Sequence, residues 1–149
     1  SVNSSYAPQY AAMGPVSLVD GWSGDEKNFH KGWLGFQGKD MEAVLDLGSE
    51  KAFSKVTGSF LRNHGSWIFL PVKVKIFTSN DGKDYQLLGE VSEPVPQQQQ
   101  ENQRKVIALT KSSTARYIKV VAETIGQCPS WHSGNGGNAW LFVDELSVE

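Results

Sequence analysis

The sequence predicts an all-β sandwich or barrel. Three observations carry the prediction. No window of about a dozen residues spaces its apolar side chains at i, i+3, i+4 and i+7, so no amphipathic helix is expected. Short runs rich in Val, Ile, Leu and Phe recur along the chain instead. Clusters of Gly, Pro, Asn and Asp separate them.

The elements follow in order. Met41 to Leu47 is bounded by Gly38 and Gly48, and Phe53 to Phe60 comes next. Pro71 to Ser79 alternates most clearly, with Val72, Val74 and Ile76 on one face and Lys73 and Lys75 on the other. Asn80-Asp81-Gly82-Lys83 reads as a hairpin turn, with Asp-Gly supplying the positive φ angles. Tyr85 to Val91 is the returning strand. Arg104 to Leu109, Arg116 to Ala122 and Ala139 to Val148 complete the set. Four segments exceed a tight turn: Asp20 to Gly38, Arg62 to Leu70, Ser92 to Gln103 and Ile125 to Asn138. The third carries the run Gln97 to Gln100, read as a solvated connection.

A chain of 149 residues without an internal repeat or a change of composition is read as one domain, 1–149. Lys plus Arg number 14 and Asp plus Glu 16, which leaves a net charge of -2. A nucleic-acid or anionic-membrane surface needs clustered cations, so neither is expected as a partner. No apolar run approaches the roughly 20 residues of a membrane-spanning helix. Ser1 to Gln9 does not have the make-up of a signal peptide, so the expectation is a processed chain or a module of a longer protein. Cys128 stands alone, so no disulfide forms within the chain. It is expected as a partly buried thiol beside Pro129.

The loops carry the chemistry. Loops are ordinarily polar, yet Trp131-His132 sits in a Gly-rich one, and Arg62-Asn63-His64-Gly65-Ser66-Trp67 repeats the pairing. An indole face matches the C–H face of a sugar ring, and His, Asn and Arg match its hydroxyls. Trp33, His64, Trp67, Trp131 and His132 are therefore the candidate sugar contacts. Packing against loop backbone is the competing reading. Trp140, beside Leu141 and Phe142, reads as core, and Trp22 is undecided.

Catalysis finds less support. Glycoside hydrolysis needs two carboxylates flanking the bond. Asp144 and Glu145 are neighbours on an expected strand and would point to opposite faces. Nucleophile-elbow, zinc-protease, P-loop and dinucleotide motifs do not occur. A zinc site from His64, Cys128 and His132 has no known spacing. Calcium accepts carboxylates and loop carbonyls, so Asp20 and the Asp144-Glu145 pair could meet around one ion, against a reading as turn and exposed strand acids.

Seven motifs occur in order: Leu18-Val19-Asp20-Gly21, Gly32-Trp33-Leu34-Gly35-Phe36, Ala43-Val44-Leu45-Asp46-Leu47-Gly48, Gly65-Ser66-Trp67-Ile68-Phe69, Thr78-Ser79-Asn80-Asp81-Gly82-Lys83, Ala115-Arg116-Tyr117-Ile118-Lys119-Val120 and Ala139-Trp140-Leu141-Phe142-Val143-Asp144-Glu145-Leu146. Together they resemble the coagulation-factor 5/8 type C, or discoidin-like, domain. More narrowly the chain is similar to carbohydrate-binding module family 32, as appended to Bacteroidetes β-hexosaminidases of the chitobiase kind. The resemblance implies a jelly-roll β-sandwich of the galactose-binding-domain-like class. It implies a non-catalytic module that binds terminal galactose, N-acetylgalactosamine or N-acetylglucosamine and targets an attached glycoside hydrolase. A bacterial periplasmic, cell-surface or secreted location goes with that. It also implies a structural calcium on Asp20, Glu145 and nearby oxygens of Leu18 and Asp144. Arg62 and Asn138 become candidates for the sugar-gripping Arg and Asn. The loop from Asp20 to Trp33 is longer than the family's usual one and has no Thr, and Leu34 stands where sister modules often carry Gln. The alternative on the same fold is a structural or protein-interaction domain that binds no sugar.

Overall fold

The computed structural model describes residues 1–149. Six strands form: β1 (Leu34–Gln37), β2 (Met41–Arg62), β3 (Lys73–Ser79), β4 (Gln86–Ser92), β5 (Gln103–Glu123) and β6 (Trp140–Val148). The only helices are short 3-10 turns at Pro8–Tyr10, Gly14–Leu18 and His64–Ser66. Pairing runs β1-β6-β2-β5-β3-β4, antiparallel throughout.

Two layers arise because β2 and β5 serve both. Residues 41–46 of β2 pair with the second half of β5, which also pairs with β3. Residues 55–62 of β2 pair with the first half of β5 on one side, and residues 56–60 pair with β6 on the other. Between these halves the register slips at Asp46/Lys51 and again at Phe53/Lys55. Bulges of this kind bend a strand from one sheet to the next. Gly48, at φ 81°, lies in the first slip. So the runs 41–47 and 53–60, expected as separate strands, are two halves of one, and the same holds for 104–109 and 116–122.

One apolar core joins the layers. Val74, Ile76, Ile118 and Val120 come from one, and Phe36, Phe60, Leu141 and Val143 from the other. The strand β1 escaped the sequence reading because Leu34, Gly35 and Phe36 are all buried, which erases alternation. Burial of Phe142 on the outward face has the same cause. The Asp20 to Trp33 segment lays Trp33 and Phe29 over that face, beside Tyr10, Leu61 and Ile68. Trp140 joins this outer cluster and is half-buried, so its packing is on the outside of the sheet and not in the central core.

The β3–β4 connection differs from the expected hairpin turn. Gly82 has φ 72°, but Asp81 is not in the left-handed region. The Asp81 carboxylate organises the loop instead, accepting from the amides of Lys83 and Asp84 at 2.8 and 2.9 Å and from Ser79 Oγ at 2.9 Å.

Candidate functional site

Three connections gather at one end of the sandwich: Arg62 to Leu70, Ser92 to Gln103 and Ile125 to Asn138. Phe69, Cys128 and Ala139 form a small buried cluster there, with Ile125 and Trp131 packed against it. Burial pushes the Cys128 thiol pKa up, so it is an inert packing group.

Trp67 closes the first connection. Asn63 and Ile68 exchange backbone hydrogen bonds at 3.0 Å, with His64 to Trp67 between them. Asn63 Oδ1 accepts from the Ser66 amide at 3.1 Å. Trp67 then takes φ 65°, a left-handed conformation that costs an ordinary side chain about 1–3 kcal/mol. The residue remains 37% exposed. The glycines of the third connection make room for it: a Cβ on Gly134 or Gly137 would sit 2.5 Å from the benzo ring. This explains much of the Gly richness there.

The other predicted contacts are placed differently. Trp33 is fully buried, with its Nε1 donating to the Asp25 carbonyl at 3.0 Å, so it has no face for a ligand. His64 and His132 are buried too. Burial, followed by the nearby Arg62 and His132, pushes the His64 pKa down to about 4. Trp131 is half-buried against His64, Phe69 and His132, and its Nε1 donates to the Pro96 carbonyl at 2.8 Å. Arg62 spends its guanidinium on the Glu101 carbonyl and on the side chains of Gln100 and Gln103, at 2.8, 2.9 and 3.1 Å. The run Gln97 to Gln100 is exposed, as a solvated connection should be, and is tied down only at Gln100. These corrections share one cause. The polar atoms of the Trp–His pairs bond to neighbouring loops, because buried polar groups need partners.

Two exposed polar residues lie nearby: His30, which the sequence did not single out, and the candidate Asn138. His30 is exposed and stacks on Tyr10 at 5.1 Å, and Tyr10 meets Trp140 edge-on at 5.2 Å. His30 Nδ1 donates to the Gln9 carbonyl at 2.8 Å, which leaves Nε2 as an acceptor. Trp140 donates its amide to the Trp67 carbonyl at 2.8 Å.

Two of the expected calcium ligands, Asp144 and Glu145, reach the Asp20 to Gly24 turn. A bulge in β6 between Val143 and Glu145 brings both acids to this turn, so they do not point to opposite faces as alternation predicts. Glu145 Oε2 accepts from the Gly21 amide at 3.2 Å and Asp144 Oδ2 from the Gly24 amide at 2.8 Å. Burial first, then the charges of Asp20 and Asp144, raise the Glu145 pKa. Arg104 Nη1 stands 3.7 Å from Asp144 Oδ2. Asp144 Oδ1 is buried with no hydrogen-bond partner. An orphaned carboxylate oxygen beside two further acids fits a hard cation. No three His, Cys, Asp or Glu side chains converge to hold an ion alone, so backbone carbonyls would have to complete the site.

The family model for the F5/8 type C domain matches residues 1–146. The chain belongs to this family. No curated protein matches the chain. Solved structures of similar fold include CpGH89CBM32-5 of Clostridium perfringens, in complex with GalNAc-β-1,3-galactose. It shares 19% identity at TM-score 0.61, over 99% of this chain and 91% of that one. The family 32 module of C. perfringens NanJ, in complex with galactose, shares 21% at TM-score 0.58, over 99% and 90%. The C-terminal domain of a Bacteroides fragilis chitobiase shares 21% at TM-score 0.60, over 100% and 91%. These likenesses establish the shared discoidin-like β-sandwich.

Proposed function

We propose that this F5/8 type C domain is a non-catalytic carbohydrate-binding module. Its ligand would be a terminal sugar of the galactose, N-acetylgalactosamine or N-acetylglucosamine type. One observation carries the reading: Trp67 is exposed and left-handed at the end of the Asn63–Ile68 turn, and the glycines of a second loop are shaped around its ring. Strain kept at an exposed aromatic residue points to use of that residue. Stacking on Trp67 would orient the pyranose, and Asn138 and His30 Nε2 would offer partners for hydroxyls. The sugar complexes of CpGH89CBM32-5 and NanJ, on the same fold, support the ligand class. A shallow surface and one sugar ring give weak affinity, about 0.1–1 mM, or about 4–5.5 kcal/mol.

The module's work would be to hold an attached glycoside hydrolase on glycans, outside the bacterial cytoplasm. The chitobiase domain supports that setting. Calcium belongs to the same proposal. Asp20, Asp144 and Glu145, with carbonyls such as that of Leu18, would hold it and tie the long loop to β6. Amides of Gly21 and Gly24 already bond to two of these acids, so the ion would add to a loop that is already pinned.

A second reading has its own observation. Arg62, His64, His132 and Trp131 spend polar groups on loop–loop bonds, as a purely structural end of the sandwich would. A glycan array on the isolated domain, with Trp67→Ala beside the wild type, separates the two. Binding that disappears in the folded variant supports the sugar reading. A folded wild type that binds no glycan leaves the structural one.

A further inference from the structure

Both buried histidines have ring nitrogens bonded to backbone groups of neighbouring loops. His132 Nδ1 accepts from the Gly134 amide at 2.9 Å, and its Nε2 donates to the His64 carbonyl at 2.6 Å. His64 Nδ1 accepts from the Gln100 amide at 3.1 Å, so that nitrogen carries no proton. Gln100 lies in the Ser92 to Gln103 segment. That segment crosses the end of the sandwich as a strap, with its Pro96 carbonyl over Trp131. Beneath it is a recess of about 150 Å³ lined by Arg62, His64, Glu93 and Lys105, among others.

We propose that His64 is an acid-sensitive latch for this strap: a proton on Nδ1 breaks the bond to Gln100 and frees the segment from the end of the sandwich. A protonated Nδ1 is a donor facing an amide donor, so the contact turns from attractive to repulsive. Nothing nearby compensates the new charge. Arg62 and His132 are the charged or titratable groups closest in effect, and both oppose it. Glu93 is the one carboxylate lining the recess, and it is paired with Lys105 at 2.7 Å. Glu101 reaches Arg62 through its carbonyl and not its carboxylate. Phe69 and Trp131, packed on the ring, carry no charge.

The sign follows from linkage. The closed strap holds His64 near a pKa of about 4, against 6.5 for a free imidazole. The open form therefore takes up protons first. Closure is fully favoured above pH 6.5, weakens as pH falls from there, and levels off below about 4. The ratio of open to closed rises about 30-fold at pH 5 and about 300-fold at the acid limit.

Hydrogen exchange read by mass spectrometry tests this on the whole domain at pH 7.5 and 5.0, with rates corrected for intrinsic chemistry. Peptides covering Ser92 to Gln103 should lose about 30-fold in protection, while β6 peptides keep theirs. His64→Asn retains an acceptor but does not titrate, so its strap should show no pH dependence. An NMR titration of the wild type should move the Gln100 amide and the His64 ring with one midpoint, whether or not that variant folds. Unchanged strap protection, equal loss in His64→Asn, or equal loss in β6 would each overturn the latch.

Discussion

Gly134 and Trp67 fit together without spare room: a methyl group on Gly134 would lie 2.5 Å from Cε2 and Cζ2 of the indole. The backbone of one loop is thereby the seat of the exposed ring of another. Two consequences follow, one for binding and one for what a sequence can reveal.

Gly134→Ala should displace the Trp67 ring while leaving both sheets intact. The clash is with a rigid ring, and overpacking of this kind costs about 1–3 kcal/mol. Urea unfolding should show that loss, and any glycan signal of the wild type should weaken by at least tenfold. A variant that unfolds and binds as the wild type does would show that the seat is not needed.

The strands were legible where one face is wet. Val74 and Ile76 alternate with half-buried lysines, and their strand lies close to where the pattern puts it. Where both faces are covered the pattern vanishes, as at Leu34 to Phe36 and at Phe142. The bulges at Asp46 and Asp144 were not legible, because an extra residue in a strand leaves no compositional mark. At the loop end, the sequence marked the segments that meet there but not the burial of their aromatic rings. Trp131 and Trp67 each lie next to histidine-bearing turns. What separates them is which indole N–H meets a carbonyl across the strap, a contact 35 residues away in sequence.

Phe142→Ala should be the costliest of the aromatic truncations outside the main core. Its ring is buried and touches Trp33, Phe29, Tyr10 and Trp140. Removing it empties the outer cluster, for a loss of about 3–5 kcal/mol. Trp22→Ala, at a ring 76% exposed, should change stability by less than about 0.5 kcal/mol. Urea unfolding of the two variants checks the contrast.

Calcium should act on Glu145 before it acts on the fold. The Glu145 pKa is raised by burial and by the charges of Asp20 and Asp144, and a divalent cation among the three would lower it. Carboxyl-detected NMR should show that downward shift on adding calcium, with the melting temperature rising. Asp144→Asn should abolish both responses. No shift of Glu145 at millimolar calcium, with no metal in the purified protein, would remove the ion from the proposal.

The β3–β4 turn should resist acid. Bonds from the Lys83 and Asp84 amides, then from Ser79, hold the Asp81 pKa down to about 2. A depressed carboxylate stabilises the folded form above its ordinary pKa and loses that effect as pH falls through the lowered value. The turn should therefore stay ordered down to about pH 2, well below where the His64 latch opens. Asp81→Asn should remove the acid dependence of the Lys83 and Asp84 amide shifts in an NMR titration.

Trp131→Ala and Trp67→Ala should fail in opposite ways. Trp131 is half-buried, and its Nε1 anchors the strap at Pro96. Truncating it removes packing from Phe69, His64 and His132 and leaves a carbonyl without its donor. The expected cost is about 2–4 kcal/mol, with strap peptides exchanging faster at neutral pH. Glycan binding measured well below the melting temperature should persist, because His132 still holds the Gly134 amide beside the Trp67 ring when the Pro96 anchor is gone. Trp67→Ala should instead lose binding by at least tenfold. Its stability should change less, because part of its packing loss is offset as a bulky side chain leaves a left-handed position. Calorimetric titration and thermal melts on both variants give the comparison. If Trp131→Ala removes binding while Trp67→Ala keeps it, the sugar face lies under the strap and not on the exposed indole.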